Sequence, residues 1–487
     1  MNRLELDPAQ NRLPAKVQTI HLIGLCGTGM GSLAGMLVER GYRVTGSDQN
    51  VYPPMSDFLS ALGIRPAIGY APENLDHRPD LVIVGNVVTR GNPEASRLKE
   101  LGLPYLSFPQ ALRFFFLKDR RPLVVAGTHG KTTTAALCAW LLDRAGRDPG
   151  FMVGGILENY GRNYRLASGE WFVVEGDEYD TAFFDKVPKF IHYAPYLGVL
   201  TSVEFDHADI YPDFEAVKEV FRRFVALIPP EGLLAAWGDD PLVRRLAEAA
   251  RAPVAYYGFH PDNDWRAENL RPEGRSMTFE LIRPDGSRRK MFTPLPGAHN
   301  VLNTLAAAAV LARVGLTPEE IAFGLETFQG IRRRQEVRGV EAGVTVIDDF
   351  AHHPTAVRYT VAAIRAAYDG TLAGHRLIAV FEPRTNTSIR AVFQEEYAAA
   401  FDQADLVLVR EPPDPAKAPE GDRFSCARLV QDLAARGLAA RRFDDTGGLL
   451  QDLLSTAAPG DVVLIMSNGG FDQLHQRLLV GLRERSR

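Results

Sequence analysis

The sequence predicts an α/β protein of three domains: two Rossmann-like units on either side of a central domain with a parallel sheet and a P-loop-type glycine turn. Three observations predict it. Short apolar runs and helical patterns alternate along the whole chain. Three segments each open on such a run. The first two openings end in glycine clusters that lead directly into a helical pattern. At 487 residues the chain exceeds what one hydrophobic core usually organises. Boundaries are expected near residues 118 and 328, giving domains 1–118, 119–328 and 329–487.

The first domain opens with a strand over 19–24, a helix over 33–40 and a second strand over 42–46, a βαβ start. Residues 80–85 are apolar throughout, as suits a strand covered on both faces by helices. The second domain opens at 121–127 and continues through a helix over 135–145 and strands at 171–175 and 197–201, closing with a helix over 300–314. The third begins at 344–348 and adds strands at 376–381, 405–409 and 461–466. Two polar, proline-bearing stretches, 261–286 and 411–422, read as hairpins or loops.

Composition narrows the function classes. With 46% hydrophobic and 24% charged residues the chain is globular rather than disordered. A net charge of −5 offers no general nucleic-acid surface, so no nucleic-acid partner is expected. No apolar run reaches the roughly 18–20 residues that span a bilayer, so no membrane partner is expected either. Residues 1–17 lack the apolar stretch of a signal peptide. Cys26, Cys138 and Cys426 are widely spaced and odd in number. Neither a disulfide framework nor a CxxC metal spacing exists, which favours a reducing, cytoplasmic setting.

The first glycine cluster, with Gly24, Gly27, Thr28, Gly29, Met30 and Gly31, lies between strand and helix. Glycines let backbone amides approach a diphosphate, and Asp48 ends the next strand where a carboxylate can accept ribose hydroxyls. The alternative is a tight turn packing helix on strand, and the spacing fits a dinucleotide oxidoreductase imperfectly. In the second cluster, Gly127, Thr128, His129, Gly130, Lys131, Thr132 and Thr133 follow one another. Such a loop cradles phosphates with its amides; Lys131 adds a point charge and Thr132 a hydroxyl for Mg²⁺. Only two residues separate the glycines, against four in the usual pattern.

Glu175, Asp177 and Glu178 follow a strand at the edge where doubly wound folds bind ligands, and oxygen ligands suit Mg²⁺. Asp206 and His207 follow the neighbouring strand. His299, Asn300 and Asn303 open a helix, where Asn300 either caps it or meets a ligand. Arg332, Arg333 and Arg334 form either a solvated turn or a clamp on phosphate. Asp348, Asp349, His352 and His353 end the first strand of the third domain.

Taken together and in this order, these motifs resemble the Mur ligase family over nearly the whole chain. The resemblance implies an ATP-dependent, ADP-forming ligase of peptidoglycan synthesis with ATP and Mg²⁺ as cofactors and a first domain that binds a UDP-sugar. Residues 46–56, Glu175 to Asp180 with Phe183 to Lys186, Glu382 to Thr387 and Met466 to Phe471 resemble the members that add L-alanyl-γ-D-glutamyl-meso-diaminopimelate, a murein tripeptide, to UDP-N-acetylmuramate in recycling. The L-alanine-adding members are the alternative; they more typically carry a His-Arg pair near position 384. The implied roles follow by motif. Lys131 and Thr132 hold the γ-phosphate and a first Mg²⁺, Glu175 ligates Mg²⁺, and His207 ligates a second. Asn300 meets adenine, Asn303 and Arg334 meet ATP, and Asp349 meets its ribose. Gly27, Thr28, Gly29, Met30 and Asp48 serve the UDP-sugar. His353, Arg384 and Asn386 serve the incoming amine. Lys218 matches a lysine that several members carbamylate to bridge metal. Ser202 departs from the family, which usually has asparagine there.

The implied chemistry is attack of the sugar's carboxylate on the γ-phosphate, then displacement of phosphate by the amine, with the third domain closing over ATP. Two other classes remain open from the residues alone. A nucleotide-dependent oxidoreductase leaves Lys131 unused, and a phosphate-loop regulator binds ATP without forming product.

Overall fold

The computed structural model describes residues 6, 11, 13–53, 55–206, 208, 210–370 and 372–485. Strands β1 (Thr19–Ile23), β2 (Arg43–Asp48), β3 (Ala67–Ile68), β4 (Leu81–Val84) and β5 (Tyr105–Ser107) form an all-parallel sheet ordered β3-β2-β1-β4-β5. The strand order reverses between β1 and β4, and the crevice at their carboxyl ends is where such sheets take ligands. Helix α1 (Thr28–Glu39) starts earlier than its apolar pattern suggests. Gly27 is its extended N-cap, so the polar residues that follow already belong to the first turn.

The central sheet comprises β6 (Arg121–Ala126), β7 (Gly150–Leu157), β8 (Arg162–Arg165), β9 (Trp171–Gly176), β10 (Leu197–Leu200), β11 (Leu233–Trp237), β12 (Val254–Gly258), β13 (Trp265–Glu273), β14 (Ser276–Ile282) and β15 (Arg288–Thr293). Its order is β15-β14-β13-β12-β11-β10-β6-β9-β7-β8. The pairs from β7 to β13 are parallel, while β8 and the β14–β15 hairpin add antiparallel margins. Thus the polar stretch after residue 261 is a sheet-extending hairpin that turns at Gly274 (φ +59°). Helix α2 (Lys131–Arg144) is buried from Thr132 to Leu142 and packs against α4 (Ala298–Ala312). A helix apolar on all sides belongs inside a domain. Helix α3 (Phe214–Leu227) covers the other face with Val217, Val220, Phe221 and Phe224.

The third sheet holds β16 (Glu336–Glu341), β17 (Val344–Asp349), β18 (Leu377–Phe381), β19 (Leu406–Arg410), β20 (Ala439–Phe443) and β21 (Val462–Met466), ordered β16-β17-β21-β18-β19-β20. It is parallel except for the β16–β17 pair. Helix α5 (Pro354–Ala367) follows β17 and packs Val357, Val361 and Ile364 into the core. Within 411–422 the chain is irregular apart from one tight turn, Pro415–Lys417. Cys26, Cys138 and Cys426 are free thiols. No helix among the described residues is long and apolar enough to cross a membrane.

Candidate functional site

The turn from β6 into α2 depends on two glycines. Gly127 has φ +130°, and a Cβ there would lie 2.0 Å from the Thr201 hydroxyl. Gly130 has φ +79°, and a Cβ would lie 2.4 Å from Asn303 Oδ1. Position 202, beside the loop, carries serine. The Ser202 carbonyl accepts from Thr128 N–H at 2.7 Å, and its hydroxyl accepts from His129 N–H at 3.1 Å. That leaves the first amides of α2, at Lys131 to Thr133, as the donors a helix N-terminus offers an anion.

Charged side chains gather around this N-terminus. Lys131 Nζ donates to Gly127 O at 2.7 Å and to Glu178 at 3.0 Å, and lies 4.0 Å from Asp177. Burial opposes the charged form of Lys131, but Glu178 and Asp177 outweigh it and raise its pKa. The Thr132 hydroxyl donates to Glu175 Oε2 at 3.0 Å, and Glu175 Oε1 accepts from Gly154 N–H. Burial, then the neighbouring Asp177, pushes the Glu175 carboxyl up. A second ammonium, Lys189, lies 2.7 Å from Asp177; against burial, Lys189 and Lys131 hold Asp177 down to about 2.

One turn inside α4, Asn303 accepts from the Thr134 hydroxyl at 3.2 Å and donates to Asn300 Oδ1 at 3.0 Å. Asn300 does not cap the helix; Gly297 does. The Asn300 amide instead donates to Pro296 O at 2.7 Å and Gln335 Oε1 at 3.2 Å. Gln335 ties this pair to the third domain, because its N–H donates to Asp349 Oδ2 at 2.8 Å. Asp349 also accepts from Ala351 N–H at 2.7 Å, and burial raises its pKa. Arg334 lies 4.9 Å over the Phe350 ring and donates to the Thr132 hydroxyl at 3.3 Å. The three arginines divide: Arg334 enters the site, Arg333 donates to the carbonyls of Ser467 and Gly469 at 2.6 Å, and exposed Arg332 pairs with Glu158.

His353 is 5% exposed. It caps α5, its Nδ1 accepting from Thr355 N–H at 3.3 Å, and stands 3.5 Å from Glu204. Its ring is 4.7 Å from that of His129, which lies 3.4 Å from the same carboxylate. The Thr355 hydroxyl donates to Glu204 at 2.7 Å, so the central and third domains meet here. Arg384 and Asn386 are elsewhere. They line a cavity of about 400 Å³ together with Asp206, His352, Lys417 and Asn468. Lys218 sits on α3, paired with Glu215 one turn away and 5.2 Å over the Phe214 ring. His207 lies outside the described residues.

In the first domain Gly27, Thr28 and Gly29 are exposed at the start of α1, whereas Met30 is buried. Asp48 is 5% exposed and shapes the adjoining turns, accepting from Cys26 N–H at 2.8 Å and Asn50 N–H at 2.9 Å. The first and central domains meet through Ser32–Asn163 at 2.9 Å and Ser107–Asp185 at 2.6 Å.

Sequence reasoning missed Gln335, Lys189 and Thr355 as members of the site. Gln335 and Thr355 were signalled only by lying beside Arg334 and His353, and Lys189, 12 residues beyond Asp177, had no local signal. Chemically, the assembled site presents amides, two ammonium groups, a guanidinium and the oxygen donors Thr132 and Glu175 around one helix N-terminus, an arrangement for holding and neutralising a polyphosphate.

Comparisons with known proteins agree along the chain. Domain-family profiles match in sequence order: Mur ligase family, catalytic domain over 19–119; Mur ligase middle domain over 125–311; and Mur ligase, glutamate ligase domain over 332–469. The UDP-N-acetylmuramate–L-alanyl-γ-D-glutamyl-meso-2,6-diaminoheptandioate ligase of Escherichia coli is 41% identical over 469 residues, covering 96% of this chain and 99% of the relative. The UDP-N-acetylmuramate–L-alanine ligase of Symbiobacterium thermophilum is 35% identical over 480 residues, covering 97% and 96%. The crystal structure of a murein peptide ligase from Psychrobacter arcticus superposes with a TM-score of 0.72 at 33% identity, covering 96% and 99%.

Proposed function

The chain belongs to the Mur ligase family, and from that premise we propose that it joins L-alanyl-γ-D-glutamyl-meso-diaminopimelate to UDP-N-acetylmuramate while ATP is cleaved to ADP and phosphate. The observation that carries the tripeptide is the cavity of about 400 Å³, several times the volume of an alanine and lined by Arg384, Lys417 and Asp206, charges of both signs. A peptide with carboxylates and a distal amine matches that lining; alanine does not fill it. The 41% identity to a tripeptide-adding relative, against 35% to an alanine-adding one, supports the same choice.

In this reading the exposed turn at Gly27 to Gly29, with Met30 and Asp48, receives the UDP-sugar. ATP lies along the amides of the glycine loop, with Asn300 and Asp349 at its nucleoside end, Asn303 beside the loop, and Lys131 and Arg334 at its terminal phosphates. Thr132 Oγ1 and Glu175 Oε2, 3.0 Å apart, are hard oxygen donors that fit Mg²⁺, and His207 would serve a second Mg²⁺. When bound, Mg²⁺ supplies neutralisation of the triphosphate charge.

The sugar's carboxylate oxygen attacks the γ-phosphorus, and ADP leaves. Lys131 and Arg334 stabilise the charge that spreads over the transferring group. The resulting acyl phosphate meets the peptide amine, positioned by Arg384 and Asn386 at the cavity, and phosphate departs. Positioning accounts for much of the rate, because the carboxylate and amine come from separate domains.

The alanine-adding relatives define the second reading. A competition with equimolar L-alanine and tripeptide, read by mass spectrometry of the UDP products, separates the two. Tripeptide product in excess supports the proposal, and alanine product in excess overturns it.

A further inference from the structure

The amine that attacks the acyl phosphate arrives protonated, and an ammonium has no lone pair to donate. Something must take its proton. The motif around β17 offers two adjacent imidazoles, and the structure gives them different work. His353 does not line the cavity: its Nδ1 caps α5 and lies near Glu204, and its ring packs against that of His129. His352 faces the other way and lines the cavity beside Arg384, Asn386 and Asp206.

We propose that Nε2 of His352 accepts the proton of the incoming peptide α-ammonium. The inference rests on reading this cavity as the amine site. Nδ1 of His352 lies 3.0 Å from the Phe350 carbonyl oxygen. A carbonyl can only accept, so Nδ1 carries the hydrogen and the lone pair of the neutral ring resides on Nε2. The ring is held in place. The Tyr397 hydroxyl donates to the His352 carbonyl, and the Phe350 ring packs edge-on at 5.8 Å.

Asp206 after β10, Arg334 before β16 and His129 of the glycine loop act on the imidazole, and Arg384, Asp414 and Lys417 line the same cavity. Burial lowers the His352 pKa and so favours the neutral ring, while Asp206 acts in the opposite sense and favours the imidazolium. Asp206 then stabilises the imidazolium once it forms.

The step balances as follows. One N–H proton moves from the ammonium to Nε2. The freed lone pair forms the C–N bond at the acyl carbon. The bond from that carbon to the phosphate oxygen breaks, and the second amine proton leaves with the phosphate. The imidazolium returns its proton to water as the product departs.

Hydroxylamine provides the test, because it is a neutral nucleophile at pH 7 and needs no base. ADP release is measured with ATP, Mg²⁺ and UDP-N-acetylmuramate, adding either tripeptide or hydroxylamine, for the wild-type chain and for His352→Asn and His352→Gln. The expected result is a roughly 10²- to 10⁴-fold loss of the tripeptide rate in both variants, with the hydroxylamine rate close to wild type. Retained hydroxylamine turnover also shows that the variants are folded and still form acyl phosphate. The proposal is overturned if the variants keep the tripeptide rate or lose both rates equally. A wild-type chain that responds to hydroxylamine but not to tripeptide overturns the substrate reading, and this assignment with it.

Discussion

Arg334 donates through Nη2 to the hydroxyl of Thr132 across 3.3 Å, bringing a side chain from the third domain onto the glycine loop of the second. The same hydroxyl donates to Glu175. A nucleotide seated on the loop is therefore enclosed from two domains, with the guanidinium stacked on Phe350.

Replacing Arg334 by lysine tests that enclosure. A flexible point charge replaces a planar fork that stacks on Phe350 while reaching Thr132. The expected outcome is a loss of about 10²- to 10³-fold in kcat for ADP release, comparable to removal of one transition-state donor. An unchanged kcat contradicts the role given to Arg334.

The Lys131–Glu178 pair predicts a separation of stability from activity. Glu178 is 3% exposed, so Lys131→Met, which takes the ammonium from beside this buried carboxylate, should cost up to about 3–5 kcal/mol. The double variant Lys131→Met, Glu178→Gln should regain most of the lost thermal stability while ADP formation stays abolished. Recovery of activity alongside stability would show that Lys131 serves only the fold.

Gly130→Ala is expected to weaken both stability and ATP binding. Its left-handed backbone costs a side chain about 1–2 kcal/mol, and the new Cβ meets Asn303 Oδ1 at 2.4 Å. Because Asn303 also holds Thr134 and Asn300, displacing it disturbs the proposed nucleotide pocket. Denaturation midpoints with and without ATP measure this. An alanine variant with wild-type midpoints in both conditions contradicts the geometry.

Much of this architecture was legible in the chain. The apolar runs at β1, β4, β6, β17 and β21 marked buried parallel strands, and the glycine loop announced a helix N-terminus. Strands β7 and β8 were not legible. Gly154 and Gly155 interrupt the first, and the second is four largely polar residues, Arg162–Arg165. The site divided in the same way. Lys131, Thr132, Glu175 and Asn303 belong to local motifs, and the fold brings Thr132 onto Glu175 and Asn303 onto the helix of Lys131. Arg334–Thr132 and Thr355–Glu204 join residues 202 and 151 positions apart. Such contacts follow from domain docking, which no local pattern encodes. The different settings of His352 and His353 were hidden for a related reason: adjacent imidazoles look alike until the backbone turns one toward Glu204 and the other toward the cavity.

Glu204 gives a pH prediction. Burial opposes its charge, yet His129 and Thr355 hold its pKa down to about 2 from an ordinary 4.5. A depressed carboxylate contributes stability that is full above its unfolded value and is lost as pH falls through the folded one. The wild-type chain should therefore lose stability between about pH 4.5 and 2 more steeply than Glu204→Gln, which should also be less stable at pH 7. Urea midpoints measured across that range check this; parallel curves for the two proteins contradict it.

The central claim is that the glycine loop and its acidic partner strand serve to phosphorylate a carboxylate. UDP-N-acetylmuramate labelled with ¹⁸O in its carboxylate, incubated with ATP, Mg²⁺ and the tripeptide, tests it most directly. One labelled oxygen should pass to the released phosphate, because the carboxylate oxygen that captures the γ-phosphoryl group leaves with it. Phosphate that draws its new oxygen from water, or an absence of nucleotide cleavage with this acceptor, would contradict the account.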